Sequence, residues 1–250
     1  MYATITMMVD IREYRDRGGS SPFREWFDRL NSEASRKVTT ALYRIGLGNF
    51  SNAKSVGAGV YECRINFGPG YRVYFGKDGE RILVLLGGGT KQRQQTDIRL
   101  ALERWEEYKQ RKKGTERRGM KMALTRDFRE TVQARVKRDA AFREGLLSDA
   151  IESLLSGEVP LGKELLRDYI NATVGFPRLA MHTKIHVKTL HQMFGPNGNP
   201  TASNLFEIVT YLQHAEGVRF EVRSARAVPR SKKGPFPHRA SRATSTAISH

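Results

Sequence analysis

Two arginines stand in neighbouring strand patterns within the run YECRINFGPGYRVYFG: Arg64 and Arg72, with Gly68-Pro69-Gly70 as a tight turn between them. Lys91 follows the next apolar run, just past Gly87-Gly88-Gly89, and Gln94 and Asp97 come after it at spacings of three. If the strands pair as a meander, these groups converge on one sheet face as a cationic concavity the width of a phosphate. Guanidinium groups hold phosphate oxygens through planar, two-pronged contact. RNA can be cut without a metal, because its 2′-OH is an internal nucleophile. The protein must then supply a base for that hydroxyl, cations for the charge building on phosphorus, and an acid for the leaving oxygen. On spacing alone, Arg64 and Arg72 equally well decorate the wet face of a half-exposed sheet, and Asp97 could cap or pair within its own helix. Glu62 is a further candidate base, or the ion-pair partner of a neighbouring arginine.

A second constellation lies in FPRLAMHTKIHVKTLHQMFGPNGNP, residues 176–200. Leu179 and Ala180 sit inside a first short helix, Ile185 in a turn, and Leu190 and Phe194 anchor a second helix. That pattern fits a helix-turn-helix over residues 176–194. It leaves His186, Lys188, Thr189, His191 and Gln192 free to reach bases and phosphates in a groove of DNA. Any short helix pair with one polar face can present the same pattern.

The elements that must position these groups fall into two patterns. Residues 3–14 alternate apolar and polar as a strand; Ser21-Pro22 opens a helix as a capping residue followed by proline; a second helix runs from Ser32 to the glycines 46 and 48. Strands are expected at residues 60–67, 71–76 and 82–86, ended by the three glycines, and a helix through Ile98 and Trp105 closes an order β-α-α-β-β-β-α. Residues 110–121 are charged and poor in apolar side chains, as a linker would be. Beyond them the pattern is helical: about 125–155, 163–172, the short pair at 176–194, and 201–213, with a short strand at 218–223. The expected organisation is an α+β domain at residues 1–113, a linker at 114–121, an all-α domain at 122–227 and a disordered basic tail at 228–250. Met120 and Met122 resemble an original start for the second part.

The net charge is +17 over 250 residues, with a balance of +9 in residues 1–119, so a phosphate-backbone partner is favoured. One cysteine, Cys63, excludes an internal disulfide and points to a reducing compartment. No apolar stretch approaches the roughly 20 residues that span a bilayer, and the first residues lack signal-peptide architecture. A cytoplasmic protein is expected. Six histidines and one cysteine form no zinc spacing, so neither a metal nor another cofactor is expected.

The runs FREWFDRL, YECRINFGPGYRVYFG and LVLLGGGTKQRQQTDI resemble the RelE/HigB superfamily of toxins, in its phage-related addiction-module killer branch, over most of residues 5–113. The resemblance implies a ribosome-dependent endoribonuclease acting on mRNA without metal. It makes Arg72 the main phosphate-binding arginine and Arg64 and Lys91 its basic companions. Tyr71, Arg93 and Gln94 are implied as RNA contacts. Asp97 stands where some members carry a tyrosine of proton transfer, which leaves the general base open. The superfamily also holds ParE-like gyrase inhibitors, and fold alone does not separate the two activities. Residues 122–222 are similar to the HigA-like antidotes encoded beside such toxins, with a Cro/repressor-type helix-turn-helix. This implies toxin neutralisation, contact between the two parts within or between chains, operator DNA as a partner, autorepression and a homodimer. The expectation is a toxin joined to its antidote, silent while joined because the tethered antidote has a high effective concentration. The competing readings are a catalytically inactive repressor and a plain RNA-binding module.

Overall fold

A six-stranded sheet in the order β2-β3-β4-β5-β1-β6 organises the computed structural model, which describes residues 9–118 and 124–221. Strands β2 (Ala53–Gly57), β3 (Val60–Ile65), β4 (Tyr71–Asp78) and β5 (Ile82–Thr90) form an antiparallel meander. Strand β1 (Asp10–Tyr14) adds to β5 in parallel, and β6 (Thr125–Asp127) closes the β1 edge antiparallel. Nine α-helices accompany the sheet among the described residues. The fold is mixed α+β.

Local chemistry accounts for the helix starts. The Ser21 side chain accepts from the Arg24 amide at 3.1 Å and Pro22 opens α1 (Pro22–Asp28). Asn31 accepts from the Ala34 amide at 2.8 Å and starts α2 (Ser32–Gly46). Asp127 and Asp139 do the same for α4 (Phe128–Arg138) and α5 (Ala140–Leu155).

Both faces of the sheet are covered. Helices α1 and α2 lie on the face carrying Cys63, Val73, Phe75, Leu83 and Leu85. Helix α3 (Gln94–Arg118) lies on the other, where Trp105 and Tyr108 pack with Tyr14, Tyr74, Val84 and Leu86. Four glycines on the strands make that cover possible. A Cβ at Gly88 would overlap the Trp26 ring, and one at Gly76 the Trp105 ring; those at Gly87 and Gly89 would run into Arg104 and Asp97. So 87–89 does not end the strand as expected. β5 runs through these glycines to Thr90, because large side chains on both sides occupy the volume that side chains on the strand would take. Leu86 is the extra residue of a β-bulge, between the pairs Tyr74↔Gly87 and Phe75↔Leu85.

Other differences have similar causes. Strand β2 was not legible: AKSVG has one apolar strand former and is held by pairing to β3 rather than by burial. Helix α3 continues through Arg118 into the stretch read as a linker, while residues 119–123 lie outside the described residues. The helical pattern from Thr125 begins instead with β6, then breaks at Asp139, whose carboxylate takes the Ser32 hydroxyl, the Arg135 Nε and the Phe142 amide. Residues 218–221 form no strand; the Phe220 amide donates to Gln213 Oε1 at 2.8 Å instead. The first strand is described from Asp10; its earlier residues and the tail 228–250 lie outside the described residues.

Residues through Phe220 belong to one compact unit. Phe23 and Phe27 of α1 and Tyr43 of α2 meet Phe128 of α4 at ring-centroid distances of 5.6, 6.1 and 5.8 Å, and Phe142 of α5 lies 6.4 Å from Phe27. A buried polar cluster ties the same layers. Asp168 of α6 (Val159–Ala172) accepts from the Tyr43 hydroxyl, from Arg129 at 3.1 Å and from Gln133 at 3.1 Å, while Arg129 also bonds Glu164. Arg135 reaches back to the end of α1, donating to the carbonyls of Leu30 at 2.7 Å and Asp28 at 3.2 Å.

Candidate functional site

Arg64 and Arg72 are direct partners in the β3–β4 register. Directly opposed residues of an antiparallel pair share a face, so the two guanidiniums are neighbours on the α3 side of the sheet. Arg64 is exposed at its tip; Arg72 is 8% exposed, with Nη1 donating to the Tyr71 carbonyl at 2.9 Å. The Arg72 Nε is buried and lacks a hydrogen-bond partner. Two like charges opposite each other repel, and Glu62 offsets that repulsion. Its carboxylate is fully buried, takes Arg64 Nε at 2.9 Å, and stands 3.8 Å from Arg72 Nε.

Lys91 begins a single 3-10 turn, Lys91–Arg93, after β5, and its amide donates to the Gly70 carbonyl at 2.9 Å. Gly70 has a φ of +76°, and a Cβ there would lie 3.7 Å from Arg72 Nη1 and 3.8 Å from the Lys91 Cβ. The turn therefore brings Lys91 beside Arg72, with a glycine between them where a side chain would intrude. Arg93 is exposed on the same turn. Gln94 opens α3 and donates to Glu62 Oε1 at 2.6 Å.

Asp97, one turn into α3, sits over Gly89, the register partner of Arg72. Its Oδ2 is buried without a hydrogen-bond partner. Burial raises its pKa above the usual aspartate value, against the opposing pull of Arg93 and Arg104. A carboxyl so placed exchanges a proton closer to neutrality than a free aspartate does. Tyr71 departs from the group. It lies on the opposite face, its ring 6.2 Å from Trp26. The Glu62 carboxylate, offered by the sequence as a possible base, has both oxygens engaged. The feature hardest to foresee was Arg104, which donates to the Leu86 carbonyl at 2.8 Å beneath the glycine run; only the absence of side chains at 87–89 hinted that something large lay there.

In the helical part, α7 (Phe176–Thr183) and α8 (Val187–Met193) are joined by Lys184-Ile185-His186, with Lys184 left-handed at φ 54°. Leu179, Leu190 and Phe194 are buried; His186, Lys188, Thr189, His191 and Gln192 are exposed. His186 caps α8, its Nδ1 accepting from the Lys188 amide at 3.2 Å, and the His191 ring stacks 4.3 Å from that of Phe176. Helix α9 (Ala202–Glu216) follows.

Among the described residues no cluster of His, Cys, Asp or Glu could hold a metal, and no helix is long and apolar enough to cross a membrane. A cavity of about 250 Å³ lies away from the arginines, among Tyr43, Phe128, Arg129 and Glu164. Its arginine and glutamate already bond each other, which leaves it no open charge for a ligand.

An α+β sheet carrying paired arginines over a buried glutamate defines a phosphate-binding class of site. The model of the family described as "Phage derived protein Gp49-like" matches residues 25–106. A relative from Haemophilus influenzae, described as "Uncharacterized protein", is 40% identical over 80 residues, spanning 32% of this chain and 81% of its own. The chain belongs to the Gp49-like family of phage-derived proteins, a RelE/HigB-like toxin family. The family match covers the sheet from α1 to the middle of α3 and ends before the helical part. No solved structure matches the chain.

Proposed function

We propose that this chain is a toxin and its antidote in one polypeptide: a metal-independent endoribonuclease that cuts mRNA on the ribosome, joined to a DNA-binding, HigA-like segment that silences it and represses its own operon. The observation that carries the nuclease half is the side-by-side setting of Arg64 and Arg72, with Lys91 adjoining and Asp97 across the register from Arg72. In this reading the guanidiniums and the ammonium take up the charge of the five-coordinate phosphorus. Asp97 carries the proton to or from the attacking or leaving oxygen. Arg93 and Gln94 flank the RNA backbone; Tyr71, being on the far face, supports the sheet and does not stack on a base.

Helices α4–α6 pack on α1 and α2, away from the arginine face. Neutralisation therefore works by denying the domain its seat on the ribosome, with the arginines left uncovered. For the DNA half, the exposed set from His186 to Gln192 on α8 supports the recognition-helix reading, with pairing of two copies placing two such helices on one operator.

The test is primer extension on translated message in cells expressing residues 1–118, with and without residues 119–250 supplied separately. Cuts inside translated regions that vanish with R72Q, and that vanish again when the second part is supplied, are expected. Uncut message together with stalled gyrase would refute the nuclease reading.

A further inference from the structure

Glu62 is the one fully buried acid on the arginine face, and it faces three separate elements. Its Oε2 takes Arg64 Nε at 2.9 Å on its own strand; its Oε1 takes Gln94 Nε2 at 2.6 Å from the start of α3 and lies 3.8 Å from Arg72 Nε on β4. The Tyr74 hydroxyl stands 3.5 Å from the same oxygen. We infer that Glu62 is the positioning residue of this site, a buried anionic pivot that sets the two guanidiniums and the first turn of α3 at the spacing a five-coordinate phosphorus requires. The inference rests on the nuclease reading above.

The argument is one of charge and rigidity. Opposed arginines on adjacent strands would splay without an anion between them. Arg72 is nine-tenths buried, so its charge needs a counter-charge that does not leave when substrate does. Glu62 cannot act on substrate itself, being enclosed with both oxygens occupied. It also costs the site one unit of positive charge. That cost weakens ground-state attraction for RNA, and it is recovered only if the ordered guanidiniums bind the transition state better than loose ones do. Removing the charge and keeping the shape should therefore move the two kinds of binding in opposite directions.

The experiment uses the full-length chain and two probes: a short RNA with every 2′-OH methylated, which binds without being cut, and the uridine–vanadate complex, a five-coordinate mimic. E62Q is expected to bind the methylated RNA as tightly as the native chain or more tightly, and to bind uridine–vanadate at least tenfold more weakly. The indole signals of Trp26 and Trp105, packed on opposite faces of the sheet, report whether the fold is kept. Should E62Q not fold, E62D keeps the charge at one methylene less reach, and a several-fold loss confined to the vanadate complex is expected. An E62Q, or in its place an E62D, that matches the native chain on both probes overturns the inference, as does one that loses both probes equally. R72Q separates this from the parent reading: if the native chain binds uridine–vanadate and R72Q does not, the nuclease reading stands and Glu62 alone is judged. A native chain that binds neither probe overturns both.

Discussion

Substituting Glu13 by glutamine should make the protein more stable in base and leave it nearly unchanged in acid. Glu13 lies on β1 facing α1 and α4, fully enclosed, and neither carboxylate oxygen has a hydrogen-bond partner. Burial pushes its pKa up to about 7 from the usual 4.5; Thr131 and Ser21 nearby and the charge of Arg126 pull the other way without prevailing. Below about pH 4.5 the group is protonated in both folded and unfolded chains and costs nothing. Between that value and 7 the folded chain keeps a proton that the unfolded chain releases, so stability falls as pH rises. Above 7 the whole cost is present. The difference between the two titration points, at 1.36 kcal/mol per pKa unit, comes to about 3 kcal/mol. Urea unfolding of the native chain and E13Q at pH 5 and pH 8.5 measures it. The variant's advantage should grow from under about 1 kcal/mol to about 3 kcal/mol between those conditions, with other titrating groups cancelling in the difference. An advantage that does not change with pH would show that Glu13 is solvated or paired in solution, and the reasoning would fail.

Three further outcomes are expected. Phe128→Ala removes a ring that touches Phe23, Phe27 and Tyr43, and should cost about 3–5 kcal/mol in chemical denaturation. Asp168→Asn takes the charge from the acceptor shared by Tyr43, Arg129 and Gln133, and should cost about 3 kcal/mol, seen as a lower melting temperature with β1 and β5 still paired in hydrogen exchange. Gly88→Ala sets a methyl group against the Trp26 ring and should destabilise by about 1–3 kcal/mol with a shifted indole signal; a neutral result would mean that β5 can slide away from α1.

The helices of the first half were legible because their start signals are local: Ser21-Pro22 and Asn31 are read from the residues they cap. Helices α7 and α8 were legible for the same reason, from short apolar anchors around Leu179 and Leu190. Strand β2 and the extension of β5 were not, because they depend on partners far along the chain. Gly88 reads as a breaker until Trp26 is placed above it. Strand β6 was hidden for a related reason: Thr125-Arg126-Asp127 has no strand signature of its own and is extended only because β1 offers an edge. In the site, the pairing of Arg64 with Arg72 followed from a meander joined by a short turn, and the position of Lys91 from the strand before it. Placing Tyr71 with them overlooked the alternation of β4, which sends residue 71 to the face opposite residue 72. The depth of Glu62 could have been read from the same alternation, since Glu-x-Arg on one strand faces Arg on the next.

Three residues from beyond position 123 finish a sheet whose other strands all come from the first ninety. Arg12 pairs with Asp127, Glu13 with Arg126 and Tyr14 with Thr125. A polypeptide stopped at residue 118 would present the outer side of β1 as a bare row of amides and carbonyls, ready to recruit any extended peptide. Dividing this gene into two would therefore do more than release a regulator: it would create a sticky seam on the liberated domain, which the missing triplet, supplied in trans, is shaped to zip shut.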